Sequence, residues 1–88
     1  MKIKDGFVLR EIAGQTVVIA TGEASKTFHG MVKLNGTGRD IWQGLANGLS
    51  AEEIAHELVE KYEGVDQAKA LADTTRLIGK MEEAGFLA

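Results

Sequence analysis

The sequence predicts an α+β domain of winged-helix-like form, a three-stranded antiparallel sheet followed by three helices. Three observations predict it. Short β-branched runs separated by a glycine turn occupy the start of the chain. After Leu34 the apolar period changes to the helical one. Each helical stretch then opens near a capping residue and closes near a glycine.

The first two strands are Phe7–Ile12 and Thr16–Ala20, joined through Ala13-Gly14-Gln15, where glycine supplies the positive φ of a hairpin turn. Residues 21–27 are polar and read as a loop. Phe28–Leu34 is the third strand, interrupted by Gly30. Asn35 or Thr37 caps the first long helix, which sets Ile41, Trp42, Leu45 and Ala46 on one side and stops at Asn47-Gly48. Ser50-Ala51-Glu52-Glu53 is a capping box, and the second helix carries Ile54, Leu58 and Tyr62 at intervals of four, as far as Gly64. Asp66 caps the third helix, residues 66–84, whose apolar side holds Leu71, Leu77, Ile78 and Met81. Gly85 ends it, and Phe86-Leu87 folds back. The expected core joins Ile41, Trp42, Leu45, Ile54, Leu58 and Leu77.

Eighty-eight residues with a net charge of −3 suit one small domain over 1–88. The absence of cysteine excludes disulfides, zinc–cysteine sites and protein-ligated iron–sulfur clusters. No apolar run reaches the roughly 20 residues of a membrane span, and the N-terminus lacks the apolar stretch of a signal peptide, so a cytoplasmic protein without membrane contact is expected. His29 and His56 are too separated to form a metal site, and no nucleophile lies beside a base with any local signature, so neither catalysis nor a cofactor is expected. Gly36-Thr37-Gly38 opens a helix but lacks the lysine of a phosphate loop. Residues 49–63 hold five glutamates against Lys61, a distribution that repels a phosphate backbone.

Two features point to a peptide. The third helix bears a stripe of small residues, Ala68, Ala72, Thr75 and Gly79, which either packs within the fold or lines a groove. The third strand, at an edge of the meander, offers unpaired backbone groups that can pair with an added strand.

Leu34-Asn35-Gly36-Thr37-Gly38-Arg39-Asp40-Ile41-Trp42 resembles the Leu-Asn-x-Thr-Gly/Ala…Ile-Trp segment of PqqD-like proteins. Gly48, Ser50-x-x-Glu53-Ile54 and Tyr62 resemble the second helix of that family, Gly85-Phe86-Leu87 its ending, and Val8-Leu9-Arg10-Glu11-Ile12-Ala13-Gly14 its beginning. The resemblance implies a RiPP recognition element: a peptide chaperone that binds the leader of a ribosomally made precursor peptide. The leader adds as an antiparallel strand to the third strand, against the third helix, and is presented to a modifying enzyme, often a radical SAM enzyme. In the best-known member the product is pyrroloquinoline quinone. Carried onto this chain by position, the leader site comprises Gly30, Met31, Val32 and Lys33 of the strand with Leu71, Ala72, Thr75, Arg76 and Gly79 of the helix.

The competing reading is a winged-helix DNA-binding transcriptional regulator. A DNA-reading helix needs outward Lys, Arg, Asn or Gln. The second helix has Lys61 alone among its glutamates, and the third sets three basic residues against four acids. The expected partners are therefore a precursor peptide and its modifying enzyme, not nucleic acid, with the chain itself a monomer.

Overall fold

The hairpin turn contains two residues, Ala13 and Gly14, both at positive φ, 53° and 79°. This geometry matches the twist of the strands it joins, so β1 (Phe7–Ile12) and β2 (Gln15–Ala20) pair without a bulge, from Ile12 opposite Gln15 to Phe7 opposite Ala20. β2 thus begins one residue before the sequence reading, because the turn is one residue shorter. The computed structural model describes residues 2–27 and 31–88.

Residues 21–27 differ from the expected loop. Ala24–Thr27 form one helical turn, α1, held by Ser25 Oγ donating to the Gly22 carbonyl at 2.6 Å and by the Lys26–Glu23 ion pair at 3.3 Å. A single polar turn has no apolar period by which a sequence could announce it. β3 (Met31–Leu34) pairs with β2 through Val18 opposite Val32, giving the sheet order β1-β2-β3. The expected start of this strand, Phe28 to Gly30, lies outside the described residues.

The three long helices begin at their predicted caps. Asn35 accepts from the Gly38 amide at 2.8 Å to start α2 (Gly36–Ala46). Ser50 and Glu53 exchange both capping-box hydrogen bonds at α3 (Ala51–Lys61). Asp66 accepts from the Lys69 amide at 2.7 Å at α4 (Gln67–Glu83). α3 stops at Lys61, short of Gly64, because Tyr62 turns to extended backbone.

Ile41, Trp42, Leu45, Ile54 and Leu58 pack with Val18 in one core, as expected, and Ala55, Ala70, Ile78, Met81 and Phe86 complete it. Leu77 packs against this core from its margin. It is half-buried, and Ala70, Thr74, Ile78 and Met81 are the residues that α4 buries. After Gly85, at φ 84°, the chain reverses and drives Phe86 edge-on against Phe7 and Trp42, at 4.9 and 5.5 Å between ring centroids. The tail then pairs with the start of the chain: the Lys4 amide donates to Phe86, the Ala88 amide donates to Lys2, and Ile3 bridges Leu87.

Candidate functional site

The hairpin register decides which backbone groups of β3 are open. Residues flanking a two-residue turn exchange both hydrogen bonds, and antiparallel pairs then alternate between bonded and non-bonded. Gln15, Val17 and Ile19 therefore turn their backbones to β1, a phase that the Thr21 amide continues by donating to Gly6 at 2.6 Å. Thr16 and Val18 turn to β3, where they meet Leu34 and Val32. The N–H and C=O of Met31 and Lys33 are left for the open edge. β1 is the other edge, but Arg10 folds back on it and donates to the Leu9 carbonyl at 3.0 Å. A charged side chain laid on an edge is a common way of blunting it.

Beside the open edge of β3 lies a groove of about 370 Å³. Lys33 and Leu34 form one wall, Asp73, Arg76, Leu77 and Lys80 of α4 form the other, and Gly38 and Ile41 of α2 lie at its base. Asn35 and Thr37 line it as well; its apolar surface comes from Leu34 and Leu77, both half-buried, since Ile41 is 2% exposed and offers almost none. Lys33, Arg76 and Lys80 are exposed at its margin. Arg76 donates to Asp73 at 2.8 Å, whereas Lys33 and Lys80 have no ion-pair partner among the described residues.

Of the site residues expected from sequence, the groove brings together Lys33 and Arg76. Val32 turns its backbone to β2 and packs its side chain on the core. Met31 lies on the open edge through its backbone, and Gly30 lies outside the described residues. Leu71 is half-buried against the core. Ala72, Thr75 and Gly79 are exposed, as is Ala68. At roughly 100° per residue this small-residue stripe lies about 120° round α4 from the groove wall. A Cβ built on Gly79 meets nothing within 4 Å, so no described element packs against the stripe there. The sequence reading did not single out Asp73 and Lys80, and it assigned Leu77 to the core. Their signal was present: 73, 76, 77 and 80 follow the i, i+3, i+4, i+7 spacing of one helical face.

A second cleft, about 420 Å³, lies between α2 and α3 and is lined by Asp40, Gln43, Gly44, Ile54, Glu57 and Lys61. It offers an extended chain no backbone partners, because both walls are helices whose amides bond internally. Asp40 there is a structural clamp. It accepts from Tyr62 Oη at 2.5 Å and from Lys61 Nζ at 3.0 Å. Burial pushes its carboxyl up, but those two hydrogen bonds and the Lys61 and Arg39 charges outweigh burial and hold it below the usual 3.8. The hydrogen bond to Asp40 raises the Tyr62 phenol above 10.0. Among the described residues no three His, Asp or Glu side chains converge to hold a metal ion, and no helix is long and apolar enough to cross a membrane.

A family model described as coenzyme PQQ synthesis protein D (PqqD) matches residues 15–87. Two solved structures share the fold. TbiB1 in complex with the TbiA(beta) leader peptide is 24% identical, with a TM-score of 0.78, covering 99% of this chain and 94% of that one. Lasso peptide synthetase B1 complexed with the leader peptide is 22% identical, with a TM-score of 0.79, covering 99% and 95%. No curated protein matches the chain.

Proposed function

The chain belongs to the PqqD family, and on that premise we propose that it is a noncatalytic peptide chaperone that binds the leader segment of a ribosomally made precursor peptide and hands it to a modifying enzyme. The observation that carries the proposal is the open edge of β3 running beside a groove whose lining includes Leu34 and Leu77. Strand addition needs those two parts together: backbone groups for affinity and a pocket for alternate side chains. The two solved structures that share the fold are themselves complexes with leader peptides, which supports the same ligand class. On the family resemblance alone, a radical SAM enzyme is one candidate receiver and pyrroloquinoline quinone biosynthesis one candidate pathway.

Magnitudes say what the groove must add. Met31 and Lys33 offer four backbone hydrogen bonds at most, together worth roughly 2–6 kcal/mol at about 0.5–1.5 each. Ordering a flexible segment takes back about 2–5 kcal/mol. Backbone pairing alone thus comes out near zero, and useful affinity has to come from side chains seated against Leu34 and Leu77. The test is an NMR titration of the ¹⁵N-labelled chain with the precursor peptide encoded beside its gene. Amide shifts should gather on residues 31–34 and 73–80. Shifts centred on α3 would rule the reading out.

A further inference from the structure

The groove is positive in a protein that is negative. The chain carries −3 overall, yet the groove walls hold Lys33, Arg76 and Lys80 against Asp73 alone. Asp73 is already engaged by Arg76, which leaves Lys33 and Lys80 without an ion-pair partner among the described residues. Resting on the leader-binding reading, we propose that the segment bound here carries at least one Asp or Glu within two positions of the apolar side chain that fills the groove.

The geometry sets this spacing. An added strand presents alternate side chains to opposite faces, about 6.5–7 Å apart along each face. An apolar side chain turned towards α4 meets Leu77. The next one on the same face lies two positions along, within the groove wall where Arg76 and Lys80 stand beside Leu77. The residue between them faces the other way, onto the sheet face that Lys33 shares with Val17. A carboxylate one or two positions from the apolar residue therefore meets a cation, whereas a Lys or Arg there meets like charge. Complementary charge of this kind governs partner choice and encounter rate more than total affinity.

Panning a phage-displayed library of random 12-residue peptides on the immobilised chain tests the proposal whatever the native precursor is. Enriched peptides should pair an aromatic or aliphatic residue with Asp or Glu one or two positions away. Their synthetic versions should bind about 3- to 10-fold more weakly to Lys80→Glu, in line with the energy of one exposed charge pair lost and reversed. Panning on the Lys33→Glu/Lys80→Glu double variant should replace the acidic preference with Lys or Arg. Peptides that shift amides 31–34 and 73–80 but show no acidic preference would overturn this inference and leave the leader-binding reading standing. No enrichment over uncoated wells, or shifts confined to other faces, would count against the leader-binding reading itself.

Discussion

Tyr62 donates its phenolic hydroxyl to Asp40 at 2.5 Å, tying the residue that ends α3 to the middle of α2. Lys61 reaches the same carboxylate, so both residues at this corner converge on one acceptor whose side chain is 15% exposed.

Removing the phenol should make stability more alike at neutral and acid pH. Asp40 titrates below its usual value in the fold, so its contribution is present above about pH 4 and is lost as pH falls through the folded value. Tyr62→Phe should cost about 1.5–3 kcal/mol at pH 7, the range for a hydrogen bond to a charged group. The deficit should narrow as Asp40 protonates. Urea melts of both proteins from pH 7 to pH 2.5 measure this, and a gap that is constant with pH would detach Tyr62 from the Asp40 charge.

Gly44 presses α2 onto α3. A Cβ at this position would stand 2.6 Å from Ile54 Cγ1, and Ile54 is 1% exposed. Gly44→Ala should therefore destabilise by about 1–3 kcal/mol through overpacking, despite alanine's better helix propensity. In a double-mutant cycle with Ile54→Ala the two costs should fall short of additivity, because the second change removes the obstructing atoms. Additive losses would place the strain elsewhere.

Proline at two adjacent positions of β3 should have opposite effects. Lys33→Pro removes an N–H that faces the open edge, so the fold should survive while peptide binding drops about tenfold or more, the equivalent of about 1.4 kcal/mol. Val32→Pro removes an N–H bonded to β2 and should unfold the sheet. Circular dichroism with a binding titration separates the two, and equal behaviour would refute the assigned alternation.

Gly79 tests the small-residue stripe. With open space where a Cβ would stand, Gly79→Ala should raise stability by up to about 1 kcal/mol. Gly79→Leu should bind peptide as the parent does, since the groove wall lies on another face of α4. A Gly79→Leu variant that folds but no longer binds would bring the stripe back into the site.

Much of this fold was legible because local chemistry and tertiary packing agree. The caps at Asn35, Ser50 and Asp66 are short-range events, complete within three residues. Ile54 and Leu58 sit where their period puts them. Legibility failed where a helix has more than one purposeful face. α4 is buried on Ala70, Thr74, Ile78 and Met81, lines the groove with Asp73, Arg76, Leu77 and Lys80, and leaves its small residues in solvent. Apolarity and size alone did not separate these three faces: Leu77 both packs against the core and lines the groove. What tells them apart is the angle at which α4 meets β3, a property of the packed molecule.

The return of Phe86 between Phe7 and Trp42 bears on when the core can close. The ring that completes it lies 79 residues after Phe7 and 44 after Trp42, and the Ile3–Leu87 bridge joins positions 84 apart. Contacts so distant in sequence are slow to form, since chain entropy is lost before they return any stabilisation. On the ribosome the hairpin and first long helices emerge ahead of Phe86, and they lack this side of their packing until it follows. Acquisition of the native state is therefore set to be a late, all-at-once event rather than a gradual one.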